Sequence, residues 1–108
     1  TINGDGTYSR DFTYVDNAVQ ANVLALCSEN TSCFGEAFNI GAGGRFSILE
    51  MFNIIKKELD LDMQPILGNL RAGDIPHSNA SVEKAVQRLG YYPAVSFEEG
   101  IIKTVYFY

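Results

Sequence analysis

The chain has 108 residues, enough for one domain and too few for two, and its balance of 46% hydrophobic to 19% charged residues excludes a disordered segment. Thirteen acidic against 8 basic residues give a net charge of −5, which excludes the basic stripe of a nucleic-acid surface. No apolar run approaches the length of a membrane span.

The first residues, "TINGDGTYSRDF", hold a Gly-Asp-Gly turn with no Met and no lead-in strand. So finished a turn at the very start leads us to expect a supporting segment upstream. Asp16 is the expected N-cap of a first helix running to about Cys27, with Val19, Val23 and Leu26 recurring on one face and Ala18, Ala21 and Ala25 filling in around them. Cys27 and Cys33, the only cysteines, read as two reduced thiols of a cytosolic protein, with a disulfide as the alternative; a metal site needs more ligands, and only His77 could help. Two glycosylation sequons, at Asn30 and Asn79, stand alone and are read as chance. "EAFNIG" is expected as a short strand, and "GAGG" as a turn. It does not complete a dinucleotide loop, because Phe46 stands where G-x-G-x-x-G needs its last glycine.

Ser47-Ile48-Leu49-Glu50 is a capping box opening a second helix, whose apolar stripe is Ile48, Met51, Phe52, Ile55 and Leu59. Lys56 and Lys57 suit its C-terminal end. "MQPILGN" is expected as an edge strand, since Pro65 cannot donate to a ladder. "LRAGDIPHSNA" reads as an irregular loop. Ser81 is the expected cap of a helix that Gly90 ends, with Val82, Ala85, Val86 and Leu89 inward. "YYPAV" is extended ahead of a second capping box, Ser96 to Glu99, and a last helix burying Phe97, Ile101, Val105 and Tyr106. The sum is an α/β arrangement of three to four helices with short strands, which do not close a sheet alone.

No catalytic or metal-binding set is present. His77 has no evident nucleophile, and none of the six tyrosines is followed four residues on by Lys. Two arginines remain in loop-like settings, Arg10 after the Gly-rich turn and Arg71 in "RAGD". An arginine beside small residues can present its planar fork to a phosphate, and Asp74 can accept from sugar hydroxyls. The same spacing also fits plain surface ion pairs with Asp11 and Asp74.

Three stretches, "INGDGTYSRDFTYVDNAVQAN", "FNIGAGGRFSILE" and "RAGDIPHSNASVEKAVQRLGYYPAVSFEEGI", cover almost the whole chain. In order and content they resemble the C-terminal portion of the NAD-dependent nucleotide-sugar epimerase/dehydratase family, the extended short-chain dehydrogenase/reductases. Asn3, Ser9 and His77-Ser78 look most like the bacterial UDP-N-acetylglucosamine 4-epimerases. The resemblance implies that residues 1–108 form a small C-terminal substrate-binding lobe, with the NAD-binding Rossmann domain absent from this chain and lying upstream.

It implies that Arg10 contacts the nucleotide diphosphate or ribose, Arg71 grips the pyrophosphate and Asp74 holds ribose hydroxyls. Asn3 lies near the base, where many relatives carry a stacking aromatic. Ser81 stands where the family usually has Asp. The parent protein would bind NAD through the other domain, act on a UDP-sugar, form a homodimer and work in the cytoplasm. It would epimerise C4 of UDP-N-acetylglucosamine by transient oxidation, rotation of the keto intermediate and return of hydride. The lobe itself would hold no NAD, no metal and no catalytic residue. The alternatives are the lobe of a 4,6-dehydratase or decarboxylase, or a non-catalytic binding module. A severed lobe would expose an apolar face.

Overall fold

A computed structural model describes residues 1–108. In chain order the elements are β1 (Ile2–Asn3), β2 (Ser9–Arg10), α1 (Val15–Leu26), a 3-10 turn (Thr31–Cys33), β3 (Phe46–Ser47), α2 (Ile48–Glu58), β4 (Leu67–Gly68), β5 (His77–Ser78), α3 (Glu83–Leu89) and α4 (Phe97–Phe107). The fold is α/β, with four helices around two small sheets.

The N-terminal strands organise the rest. β1 pairs parallel with β4, Ile2 opposite Leu67 and Asn3 opposite Gly68. β2 lies between β3, antiparallel, and β5, parallel, with Ser9 opposite both Ser47 and His77. Between β1 and β2, Gly4 and Gly6 take positive φ of 73° and 81°, a region open to glycine without steric cost. Asp5 closes the turn by accepting from Thr7 N at 2.9 Å and Thr7 Oγ1 at 2.6 Å, and these bonds hold its carboxyl below the usual range. The loop from Asn69 to Pro76 is therefore anchored at both ends by two-residue ladders onto one short N-terminal segment.

Both capping boxes form as expected. Ser47 Oγ accepts from Glu50 N at 3.1 Å while Glu50 Oε2 accepts from Ser47 N at 2.6 Å, and Ser96 and Glu99 repeat the pattern. Gly90 ends α3 with φ 68°, in the left-handed C-cap conformation. Other expectations need correction. α1 is preceded by Tyr14 with no side-chain cap, and Asp16 lies in the first turn, where it suits the dipole. α3 starts at Glu83 with Val82 at the cap position, but Ser81 Oγ still accepts from Glu83 N at 3.3 Å. "EAFNIG" joins no ladder: Lys84 Nζ donates to Ala37 O, and Gly41 O accepts from Tyr91. The loop read as irregular contains β5, whose partner is 68 residues away and invisible to local patterning.

The core is thin. Thirteen of 108 residues are buried, and the extents of 51 × 32 × 17 Å describe a slab. The radius of gyration, 16.5 Å, exceeds the roughly 13 Å of a compact 100-residue domain. One hub is Ala21, Ala85 and Tyr91, with Leu24, Phe38, Ile40 and Val82 around it. The other is Phe97, stacked on Phe46 at 4.0 Å and on Phe12 at 5.5 Å between ring centres, where α4 meets α2.

α1 buries Asn17 and Ala21 rather than its valines. Val15, Val19, Val23 and Leu26 form an exposed stripe, Leu26 being 86% accessible. An apolar helix face is thus left exposed, and Tyr106, expected inward, is exposed as well. Ile101 and Val105 are half-buried. No helix is long and apolar enough to cross a membrane.

Candidate functional site

Strand alternation places Tyr8 and Arg10 on one face of the N-terminal segment and Ser9 on the other. Asn3, Tyr8 and Arg10 then line a cleft of about 220 Å³ with Thr1, Ile2, Ile48 and Asp74. Three of the four residues singled out in the sequence, Asn3, Arg10 and Asp74, are brought together here from separate segments. Arg71 is not among the lining residues. It stands exposed in the same loop, joined to Asp74 through the turn bond Asp74 N to Arg71 O at 3.2 Å. Tyr8 was missed, although its position two residues before Arg10 in an extended segment was the available signal.

Arg10 is oriented by backbone. Its Nη1 donates to Ser9 O at 2.9 Å and to Pro76 O at 3.5 Å, tying the side chain to the loop that carries Asp74. Neither arginine is in an ion pair. The pairs within 4 Å are Lys84–Glu36 at 2.7 Å and Lys103–Asp16 at 3.7 Å. The alternative of plain surface ion pairs with Asp11 and Asp74 therefore does not describe this structure. Arg10 also lines a second cleft of about 230 Å³ with Asp11, Ile40, Ser78, Asn79 and Ala80, so its fork lies between two openings.

Asp11 has a different task. Its carboxylate accepts from Ala42 N at 2.9 Å and Gly43 N at 3.1 Å, capping the "GAGG" turn. Those amides are the groups a Gly-rich loop would offer a phosphate. Here they already hold an anion, so this turn does not fit an NAD pyrophosphate. Gly41 permits the approach, because a Cβ there would collide with Asp11 Oδ2. Tyr91, 1% exposed, donates from Oη to Gly41 O at 2.7 Å. Burial and then the nearby Asp11 charge raise its pKa, keeping the phenol protonated as a donor.

Both cysteines are free, Cys27 exposed and Cys33 buried, and no cluster of His, Cys, Asp and Glu could hold a metal. A groove of about 260 Å³ between residues 12–15 and α4 is lined by Phe12, Tyr14, Val15, Phe97 and Ile101 among others, with no charged side chain to grip an anion.

Residues 1–41 match the model of the NAD dependent epimerase/dehydratase family. The whole chain follows suit. It is 36% identical over 104 residues to a putative UDP-glucose 4-epimerase of Methanocaldococcus jannaschii, covering 96% of this chain and 32% of that protein. The structure superposes with a TM-score of 0.87 on Thermotoga maritima UDP-glucose 4-epimerase solved with UDP-glucose, at 37% identity over 98% of this chain and 34% of that one. Nearly the whole chain is thus similar to the C-terminal third of UDP-glucose 4-epimerases, and its first 41 residues match the model of the NAD dependent epimerase/dehydratase family. It has the fold of the C-terminal part of the epimerase structures. It is also similar to Methanobrevibacter ruminantium UDP-N-acetylglucosamine 4-epimerase in complex with UDP-N-acetylmuramic acid, with a TM-score of 0.85 and 33% identity over 97% of this chain and 33% of that one. The chain spans about a third of the length of these epimerase relatives.

Proposed function

We propose that residues 1–108 are the nucleotide-binding part of an NAD-dependent UDP-sugar 4-epimerase, and that the complete polypeptide interconverts UDP-N-acetylglucosamine and UDP-N-acetylgalactosamine. The observation that carries the reading is the convergence of Asn3, Arg10 and Asp74 on one cleft, with Arg10 free of any acidic partner. Arg10 meets the diphosphate or ribose, and Asp74 accepts from ribose hydroxyls. Arg71 reaches the pyrophosphate from the loop beside it, and Asn3 lies near the base.

A cleft of about 220 Å³ is smaller than the roughly 300–1,000 Å³ of sites that enclose a ligand. This chain therefore grips one end of the sugar nucleotide, and the rest of the polypeptide covers the sugar. NAD belongs to that other part, since the "GAGG" amides here are taken by Asp11. The exposed stripe of α1 suits packing against the same part, and the assembly is a cytoplasmic homodimer. The contribution of this chain to catalysis is binding energy from the non-reacting nucleotide, used to orient the sugar.

The acetamido sugar is favoured by Ser9 and His77-Ser78. A second reading, UDP-glucose, is favoured by the names of the Methanocaldococcus and Thermotoga relatives. Assay of the complete polypeptide on both sugars side by side separates them. Turnover of UDP-glucose alone removes the N-acetyl assignment. Turnover of neither removes the epimerase reading and leaves a dehydratase, a decarboxylase or a binding module.

A further inference from the structure

Ser9 and His77, two of the residues that carry the resemblance to the acetamido-sugar epimerases, bond to each other. Ser9 Oγ lies 2.9 Å from His77 Nδ1, and Arg45 Nε donates to the same Oγ at 3.3 Å. Arginine can only donate, so Ser9 Oγ accepts from Arg45. Ser9 is 6% exposed and is not left with an unpartnered oxygen. With one proton and two lone pairs, the Ser9 hydroxyl can accept from Arg45 and bond His77 Nδ1 at the same time. The order is Arg45 to Ser9 to His77, from the residue before β3 through β2 to β5.

The three lie on the face of the small sheet opposite Arg10. None of them lines the cleft. Their bond closes where it matters for the cleft, because His77 follows Asp74 by three residues and Pro76 O accepts from both Ser9 N at 2.9 Å and Arg10 Nη1 at 3.5 Å. β5 is two residues long, and its ladder to β2, with the long Arg10 Nη1 bond to Pro76 O, holds this end of the loop. So short a ladder allows slippage unless a side chain pins it.

We propose that Ser9, His77 and Arg45 are positioning residues for nucleotide recognition: their side-chain chain locks the register of β5 on β2 and so sets the separation of Asp74 and Arg71 from Arg10. The inference rests on the proposed nucleotide site.

The test uses the complete polypeptide, with UDP binding by calorimetry and steady-state kinetics on the UDP-sugar it turns over. Ser9→Ala and His77→Phe should each weaken UDP binding about three- to tenfold, the range of one hydrogen bond, and raise KM with kcat unchanged. His77→Asn, which keeps an acceptor near the Nδ1 position, should stay within about twofold of wild type. A merely structural role would lower the thermal midpoint with no change in UDP affinity, and that result overturns the proposal. So does equal weakening by His77→Asn and His77→Phe. Arg10→Ala separates the two levels. If it weakens UDP binding while Ser9→Ala and His77→Phe do not, the positioning role alone fails. If neither Arg10→Ala nor the others matter, or wild type binds no UDP, the nucleotide site fails with it. Should Ser9→Ala not fold, His77→Phe and His77→Asn decide, since His77 is exposed.

Discussion

Asn17 and Val95, 78 positions apart, share two hydrogen bonds: Asn17 Nδ2 donates to Val95 O at 2.7 Å and Val95 N donates to Asn17 Oδ1 at 3.0 Å. The amide thereby acts as a ladder rung between α1 and the extended segment ahead of α4. It is 1% exposed, so no water substitutes for it. Asn17→Ala leaves a dry donor and a dry acceptor on Val95 and should cost about 2–4 kcal/mol of stability. Asn17→Asp should fare no better, because a carboxylate cannot donate to Val95 O. Thermal unfolding of the complete polypeptide checks both, and a loss smaller than that of an ordinary surface substitution would sink the argument.

A second knot joins Asp11, Gly41 and Tyr91. Tyr91→Phe removes the bond to Gly41 O and should cost about 1–2 kcal/mol. Gly41→Ala forces a methyl against Asp11 Oδ2 and should cost about 1–3 kcal/mol. Because the collision partner is a single side chain, Gly41→Ala should cost clearly less in an Asp11→Ala background. Additive losses in a double-mutant cycle would show that the glycine is needed for another reason.

These knots mark the boundary of what the sequence discloses. The capping boxes at Ser47 and Ser96 were legible because donor and acceptor lie three residues apart and their chemistry is local. Gly90 was legible for the same reason. Of the strands only β4, inside the expected "MQPILGN", was legible; the others were not, since each is a two-residue ladder whose partner lies far along the chain. α1 has two apolar faces, and periodicity cannot rank them. The small face of Ala21 and Asn17 won, as Ala85 and the Val95 backbone approach closely enough to use it. Arg10 and Asp74 were legible as charged groups beside small residues. Their meeting in one cleft, and the Ser9–His77 bond behind it, depend on the β2–β5 register, which no local pattern encodes.

The capping boxes carry a pH signature. The backbone amides of Ser47 and Ser96, and then their hydroxyls, hold Glu50 and Glu99 below the ordinary glutamate range. A carboxyl depressed in the folded state stabilises above its unfolded value, about 4.3, and loses that contribution as pH falls through the folded value. The thermal midpoint should therefore decline as pH drops below about 4.5. Glu36, depressed by its bond and ion pair with Lys84, adds to the same decline. Glu50→Gln with Glu99→Gln should flatten part of it. An unchanged acid slope in the double variant would assign the decline to other carboxyls.

Arg71 and Arg10 should respond differently to the same substitution. Arg10 Nη1 is held by two carbonyls, whereas the Arg71 side chain is exposed and makes no hydrogen bond or ion pair. Arg71→Ala should thus leave the stability of the free protein within about 0.5 kcal/mol, as for a surface change, yet weaken UDP binding by about 1–3 kcal/mol if its fork closes on the pyrophosphate. Its contribution, being exposed, should also shrink as salt rises. Arg10→Ala should weaken UDP binding and lower stability together, because Pro76 O loses a donor and the loop loses a tether. Calorimetric titration with UDP at low and high salt, alongside unfolding of each variant, distinguishes the two patterns. Equal affinity for Arg71→Ala and wild type at both salt concentrations would return Arg71 to an ordinary surface charge and leave Arg10 and Asp74 alone at the cleft.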